Sequence, residues 1–262
     1  MYKLTDNNTK TSIVRTASVS KQAKRDKSKL AVVSLNSNDF LFSQATIVCS
    51  VDMDKGDSRI SPDTSKYVNE NGDCWSNETL KNNYQSFIGA YNYVNHVQDP
   101  NKSVGFIADA VLRRIFLDSP CTRYIYYCDI LVATNRGYEE LIKKILSNKI
   151  EFMSMGCESS VTTCSKCGKE YYTDDDVLCD CLVNSKGKYY IDADGCKRRI
   201  AEIIGTSQPG SCEFIEASWL TEIPAFEGAC KRNILQIPHN TSIEVEIPEE
   251  FLSKDALTKY IS

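Results

Sequence analysis

The chain has 262 residues, of which 42% are hydrophobic and 25% are charged, a composition typical of a folded globular protein. Its net charge of −4 does not favour a general nucleic-acid-binding role. No apolar run approaches the roughly 18 residues that a membrane helix needs. The first residues also lack the apolar core of a secretory signal. We therefore expect no export, no membrane partner and no direct nucleic-acid partner.

Residues 1–29 are polar and basic, with eight Lys or Arg residues and two acidic residues. So few apolar side chains cannot form a core, which predicts a flexible basic arm. The arm is either a solvated tail or a removable or partner-binding segment. We expect the main domain to span residues 30–240 and a strand and a short helix to occupy residues 241–262.

Strands dominate the first half of the chain. From Leu30, the segments LAVVSL and FSQATIVCSV are rich in β-branched residues and are bounded by polar turns. A helix follows, with Ser76 or Asn77 as its N-cap. VGFIADAVLRRIFL and TRYIYYCDILVAT are typical of two arms of a long antiparallel pair. An amphipathic helix is predicted over 136–149, and the strand IEFMSMG comes directly after it.

The second half begins with a polar, cysteine-rich segment, residues 158–187, which indicates an insertion outside the core. A helix is predicted over 196–205, because Gly205 is a common residue just beyond a helix end. EFIEASWLTEIP is apolar on both faces and predicts a central strand. Strands outnumber helices and no regular βαβ alternation is present. The pattern therefore predicts an α+β protein built on an antiparallel sheet or barrel.

The chain has two histidines, His96 and His239. Because histidine titrates near neutral pH, these two are the main candidates for a general base. His96 lies between a predicted helix and a predicted strand, in a loop or at a strand edge where functional residues are common. A lone histidine is more often structural than catalytic, so His96 needs partners to be interpreted as a base.

Two polar residues lie where the strand pattern expects packing. Ser154 is near the end of IEFMSMG, just before Gly156, where the backbone can approach a ligand closely. A serine hydroxyl is nucleophilic only if a base takes its proton, so His96 would have to reach it. Glu216 lies on a largely apolar strand, and a buried ionised carboxylate needs a partner. That partner is either a histidine ring N–H or a neighbouring Lys or Arg.

The chain has twelve cysteines, which we expect to be thiols or metal ligands in a reducing compartment. Cys164-x2-Cys167 is half of a common zinc site, because both thiolates of a tight turn reach one tetrahedral ion. Cys179-x-Cys181 is a less usual second half. We interpret these four as ligands of a structural zinc ion that ties the insertion together. Free thiols in a loop are the alternative, and Cys157 is a spare candidate ligand.

Three segments together resemble the prohead proteases of tailed bacteriophages, whose fold is that of the herpesvirus assemblins. They are NHVQDPNKSVGFIADA around His96, EFMSMGC around Ser154, and ASWLTEIPAFEGA after Glu216. TCSKCG follows EFMSMGC, as it does in one large-phage branch of the family. In that branch the second cysteine pair is Cys-x-His, and Cys181 stands here in place of the histidine. The resemblance covers roughly residues 76–230, most of the predicted folded chain.

The resemblance implies an assemblin-like, barrel-like sheet with surrounding helices. It implies a serine endopeptidase with Ser154 as nucleophile, His96 as general base and Glu216 as third member, for which Asp180 and His239 are possible substitutes. The implied substrates are phage scaffold (core) proteins, the major capsid protein and the enzyme itself. The implied location is the assembling prohead in the host cytoplasm, where a homo-oligomer is possible. Catalysis would need no cofactor.

Two other functions fit the same residues. One is a non-catalytic, zinc-stapled protein that binds capsid or scaffold proteins. The other is a cysteine hydrolase that uses Cys157 with His96. Loss of cleavage on replacing Ser154 but not Cys157 would favour the serine enzyme, whereas no cleavage under any condition would favour the binding protein.

Overall fold

The computed structural model describes residues 3–6, 12–13, 30–54, 58–119, 121–172, 175–226 and 228–261. Most of the segment predicted to be a basic arm lies outside the described residues, and its two described pieces are short strands. Within the described ranges, no helix combines the length and the apolar character needed to cross a membrane.

The described residues form seventeen strands and four α-helices. The strands are β1 (Lys3–Asp6), β2 (Ser12–Ile13), β3 (Leu30–Asn36), β4 (Phe40–Val51), β5 (Asp73–Ser76), β6 (Tyr91–Val94), β7 (Gly105–Phe116), β8 (Tyr124–Asn135), β9 (Phe152–Ser159), β10 (Thr162–Cys164), β11 (Glu170–Tyr171), β12 (Tyr189–Ile191), β13 (Lys197–Arg199), β14 (Glu202–Ile204), β15 (Cys212–Leu220), β16 (Lys231–Ile234) and β17 (Thr241–Pro248). The helices are α1 (Asn77–Asn83), α2 (Glu139–Leu146), α3 (Asp180–Ser185) and α4 (Asp255–Ile261).

The strands form one large sheet, one small sheet and a hairpin. The large sheet has the order β11-β10-β14-β5-β4-β8-β7-β6-β15-β9, with β16 paired to β4, and it curls into a half-barrel. The small sheet has the order β2-β1-β17-β3, and β12 pairs with β13. The predicted α+β class is confirmed. The sheet is mixed rather than wholly antiparallel, because β5 runs parallel to β4 and β14, and β6 runs parallel to β15.

The main core lies against the large sheet and is rich in aromatic side chains. β7 and β8 form the predicted long antiparallel pair, which extends from Gly105 opposite Thr134 to Phe116 opposite Tyr124 with one bulge between Ile107 and Asp109. Phe87 and Phe214 are fully buried and stack with ring centroids 4.2 Å apart. Burial of each such ring contributes roughly 1.5–3 kcal/mol. The core thus holds β15 firmly against its neighbours.

Two predicted helices are confirmed, with shorter bounds. Ser76 is the N-cap of α1, and its Oγ accepts a hydrogen bond from the Thr79 backbone N–H at 3.0 Å. α2 occupies the centre of the predicted 136–149 helix and buries Ile142 and Ile145. The predicted C-terminal strand and helix are present as β17 and α4.

The helix predicted over 196–205 is wrong, because this segment forms β13 and β14. β14 pairs with β10 on one side and with β5 on the other, so its backbone groups are bonded within the large sheet. Arg198 is buried and forms an ion pair with Asp192 across the β12–β13 hairpin. These long-range partners override the weak local preference for helix. Gly205 has a φ of +72° and ends a strand.

The cysteine-rich segment 158–187 is joined to the large sheet rather than separate from it. β10 lies within this segment and pairs with β14. Cys164, Tyr171 and Leu182 of this segment form a small separate core with Ile200, which lies just before β14.

Candidate functional site

Three neighbouring strands, β6, β15 and β9, form the floor of the candidate site. On β15, Glu216 lies opposite Gly156 of β9, and Ser218 lies opposite Ser154. Directly paired residues point to the same side of a sheet, so these four residues share one face. The prediction that β15 is a central strand is confirmed, because β6 pairs along its other edge.

His96 lies on the loop after β6 and reaches over this face to Glu216. The distance between His96 Nδ1 and Glu216 Oε1 is 2.6 Å. The Glu216 side chain is only 1% exposed, whereas that of His96 is 39% exposed. Among the described residues, no Lys or Arg forms an ion pair with Glu216. Of the two partners that the sequence leaves open for this carboxylate, the structure therefore has the histidine.

Ser218 completes the surroundings of the carboxylate. Its hydroxyl donates to Glu216 Oε2 at 2.6 Å and accepts from the His96 backbone N–H at 3.3 Å. Both carboxylate oxygens therefore have a donor, and Ser218 links the carboxylate to the loop. This role of Ser218 is not predicted from the sequence, in which the only signal is a serine two residues after an acidic residue on the same strand face.

The contact with Glu216 changes the properties of the imidazole. The hydrogen bond to the carboxylate raises the pKa of His96, and partial burial opposes this effect. In this contact, Nδ1 carries a proton and donates a hydrogen bond to the carboxylate. Nε2 is therefore the ring atom that can take a proton from another group. The arrangement can thus supply a general base whose orientation is set by a buried acid.

Ser154 lies beside this pair without a hydrogen bond to it. No hydrogen bond joins its hydroxyl to the His96 ring, both residues being among those described. Ser154 is directly opposite Ser218, and Cβ atoms of such cross-strand pairs are about 4.5–5.5 Å apart. Catalytic hydrogen bonds are often long without substrate. The structure therefore brings His96 and Glu216 together and places Ser154 on the adjacent strand, on the same face.

Gly156 allows the loop and the carboxylate to lie close to β9. A Cβ atom at this position would be 2.9 Å from Glu216 Oε1 and 3.0 Å from Gln98 Nε2. Both distances are too short for ordinary contacts. Gln98, which is not among the residues predicted from the sequence, therefore places its amide beside Glu216, on the face that also carries Ser154.

The backbone around His96 is strained. Asn95 and His96 have φ values of 51° and 56°, in the left-handed region that asparagine and histidine tolerate better than most residues. Asn95 is held by β15, because its N–H donates to the Trp219 carbonyl at 2.9 Å and its Oδ1 accepts from the Thr221 N–H at 3.1 Å. Such strain is common at functional sites and requires surrounding support.

The other candidate residues lie elsewhere. Asp180 begins α3 in the cysteine-rich segment, and His239 Nδ1 is 3.1 Å from Asn38 Oδ1. Cys157 packs against the main core on the opposite face of β9 from Ser154. A hydrogen bond with Cys212 and burial raise the pKa of the Cys157 thiol. A protonated thiol is a poor nucleophile, so the geometry does not favour a Cys157 enzyme.

The four predicted metal ligands do come together. The Sγ atoms of Cys164, Cys167, Cys179 and Cys181 all lie within 4.8 Å of one another. Zn–S bonds of about 2.3 Å in a tetrahedron require sulfur atoms roughly 3.8 Å apart, so small side-chain adjustments would suffice. Cys157 does not belong to this cluster. The cluster can bind a metal ion with four thiolates.

Local structure explains how the two cysteine pairs meet. The first pair lies on a tight turn in which the Gly168 N–H donates to the Cys164 carbonyl at 2.9 Å, and Gly168 has a φ of +73°. Cys179 is the N-cap of α3 and Cys181 lies in its first turn. The Cys179 N–H donates to the Tyr171 hydroxyl at 2.9 Å. A turn and a helix start therefore present the two pairs to one point.

Comparisons of the chain with known protein families, curated proteins and solved structures found no match. The residues that bear on function are therefore the His96–Glu216 pair, Ser154 beside it, and the four cysteines of the cluster.

Proposed function

We propose that this protein is a serine endopeptidase with Ser154 as nucleophile, His96 as general base and Glu216 as the residue that orients His96. The observation that carries the proposal is the hydrogen bond between buried Glu216 and His96, on the sheet face that also bears Ser154. An acid, a histidine and a serine with this division of roles recur in serine hydrolases on unrelated folds.

In this mechanism, His96 Nε2 takes the Ser154 proton as Oγ attacks the peptide carbonyl, forming a C–O bond. Glu216 stabilises the imidazolium that results, and His96 then gives its proton to the leaving amine as the C–N bond breaks. Water, activated by the same histidine, hydrolyses the acyl-enzyme. Our candidate donors to the oxyanion are backbone N–H groups near Gly156 and the side-chain amide of Gln98.

We propose a role in bacteriophage prohead maturation on the resemblance of the three site segments to prohead proteases. The substrates would be scaffold and major capsid proteins, cleaved inside the assembling prohead. A curled, largely antiparallel sheet with peripheral helices supports an assemblin-like core. The proposed role in prohead maturation and the proposed peptide cleavage are separate, because the His96–Glu216 geometry supports only the cleavage.

We also propose that the cysteine cluster binds one structural zinc ion. Four thiolates would fill the tetrahedral coordination shell, leaving no open position for a substrate or a reactive water. The ion would stabilise the segment around Tyr171 and Leu182, whose core is small. It would take no part in peptide cleavage.

Incubation of the purified protein with its cognate scaffold and major capsid proteins, followed by mass spectrometry of the fragments, tests the proposal. We expect defined cuts by the unmodified protein and by Cys157→Ala, and none by Ser154→Ala. Cleavage that persists in a folded Ser154→Ala protein would contradict the serine mechanism. Absence of cleavage by every form would favour the non-catalytic, zinc-stapled binding protein.

A further inference from the structure

We infer that helix α4 positions the loop that carries His96, so that side chains of α4 help to set the geometry of the site. The inference rests on the proposed function, because it assigns positioning residues to the same site. It concerns Lys259 and Tyr260, neither of which lies on the floor of that site.

The loop between β6 and β7 (residues 95–104) has few backbone bonds to the rest of the protein along its middle. The N–H groups of residues 97, 98, 99, 102 and 103 all donate to carbonyls within residues 94–100. Apart from the bond from Val97 to the Val94 carbonyl at the end of β6, these bonds shape the loop without attaching it to the sheet. Near its start the loop is attached to β15 through Asn95 and through the His96 N–H, which donates to the Ser218 hydroxyl at 3.3 Å. At its end the Ser103 hydroxyl and the Val104 N–H donate to the Asn92 carbonyl, at 3.3 and 2.8 Å.

α4 supplies the contacts that the middle of the loop lacks. Lys259 Nζ donates to the Pro100 carbonyl at 2.7 Å, and the Tyr260 hydroxyl donates to the Ser103 carbonyl at 2.5 Å. Tyr138, before α2, also donates to the Ser103 carbonyl, at 2.9 Å. The half of the loop that follows His96 is therefore tied to side chains from distant parts of the chain, and two of the three belong to α4.

α4 is itself held firmly enough to act as an anchor. Ala256 and Leu257 are fully buried. The Tyr260 ring packs on Phe40 and Phe106, with centroid distances of 6.1 and 5.9 Å. The anchor therefore moves with the large sheet, which also carries Glu216.

This support matters because His96 occupies a left-handed backbone conformation that is costly without it. The hydrogen bond between the His96 ring and Glu216 depends on where the loop holds the ring. A displacement of about 1 Å in a catalytic group can reduce the rate by roughly a hundredfold. Lys259 and Tyr260 are thus positioning residues that act through His96 and do not touch substrate.

The test uses the full chain with Lys259→Met, Tyr260→Phe and the double substitution, each of which keeps the size of the side chain. Thr258→Ala is the matched control, because Thr258 lies in α4 and its hydroxyl bonds only within the helix, to the Asp255 carbonyl. Proton NMR of the two histidine rings follows the pKa of His96, and exposed His239 is an internal reference.

We expect the pKa of His96 to fall towards its ordinary value in the double variant and kcat to be reduced about tenfold or more. Thr258→Ala should match the unmodified protein. An unchanged His96 titration in a folded double variant would overturn the inference. If the double variant is unfolded, Tyr260→Phe, which removes one oxygen, decides the question by the same titration.

Failure of the proposed function has a different signature. An unmodified protein that cleaves no peptide, while the His96 titration still responds to the substitutions in α4, contradicts the peptidase and leaves the positioning role intact. Cleavage by the unmodified protein with a titration insensitive to α4 contradicts the positioning role alone.

Discussion

Glu216 Oε1 and His96 Nδ1 are 2.6 Å apart, although Glu216 belongs to a buried central strand and His96 to an exposed loop. The contact joins a rigid acid to a base that solvent and substrate can reach. Ser218 bonds to both residues and makes the arrangement less dependent on a single hydrogen bond.

Ser154→Ala and His96→Ala should each abolish peptide cleavage and leave the protein folded. Two residues that act as a unit are non-additive, so the double variant should be no worse than either single one. Ser154→Ala should change the free energy of unfolding by about 1 kcal/mol or less. Scaffold cleavage measures activity and circular dichroism measures folding. Clear additivity of the two losses would show that the residues act independently.

Glu216→Gln should reduce cleavage less than either of those substitutions and should lower the pKa of His96, because the hydrogen bond to the carboxylate is what raises it. In the unmodified protein, His96 is the neutral, active base only above its raised pKa, so activity should increase as the pH rises through that value. In the variant the increase should occur at lower pH and reach a lower plateau. The pH dependence of kcat/KM measures both effects.

The same pKa shift predicts a stability effect of defined sign. A histidine whose folded-state pKa is raised stabilises the protein fully below its unfolded value of about 6.5, and this stabilisation is lost as the pH rises through the folded pKa. Urea unfolding at several pH values should show this loss in the unmodified protein and a weaker one in Glu216→Gln. Equal pH dependence in the two proteins would contradict the assignment of the shift to Glu216.

Gly156→Ala should disturb the site more than the fold. The new methyl group would lie against Glu216 Oε1 and Gln98 Nε2, so the carboxylate or the loop would have to move. We expect cleavage to fall about tenfold or more. Circular dichroism of Gly156→Ala is the control for folding. A fully active Gly156→Ala protein would show that the two side chains relocate freely.

Metal analysis of protein purified under reducing conditions should find one zinc ion per chain. Cys181→Ser should lower the zinc content and the temperature of unfolding, because a folded metal site contributes its binding energy to stability. Cys196→Ser is the matched control, since Cys181 and Cys196 are both half-buried and Cys196 lies outside the cluster. Less than about a tenth of an equivalent of any metal in folded protein would contradict the proposal.

Much of the fold could be predicted from local sequence. The β7–β8 pair and the Ser76 cap follow from alternation and capping chemistry, which act over a few residues. The sequence indicates Glu216 as a candidate, because a carboxylate on an apolar strand needs a partner. It does not indicate Ser218 or Gln98. The contact of Ser218 with Glu216 depends on the strand register, and the position of Gln98 near Gly156 depends on the path of the loop.

The incorrect prediction of a helix over 196–205 has a physical cause. The segment containing Ile200 and Ile203 has the spacing of a helix, yet its backbone pairs with β10 and β5, and no local signal encodes a partner that distant in sequence.

Self-trimming stays a prediction, and its two predicted sites are Ile247-Pro248-Glu249 and Ile200-Ala201-Glu202. Glu202 lies inside the large sheet, whereas Glu249 begins an exposed turn between β17 and α4. The exposed site at Glu249 is therefore the better candidate.

The strand order β6-β15-β9 has a consequence for hydrogen exchange. The backbone of β15 is paired on both edges, so its amide protons should exchange only when the sheet opens. Amides of the His96 loop are bonded mainly within the loop and should exchange through small local openings. The histidine can therefore leave the carboxylate and return many times during the lifetime of one folded molecule, and the site can be interrupted reversibly without unfolding the sheet beneath it.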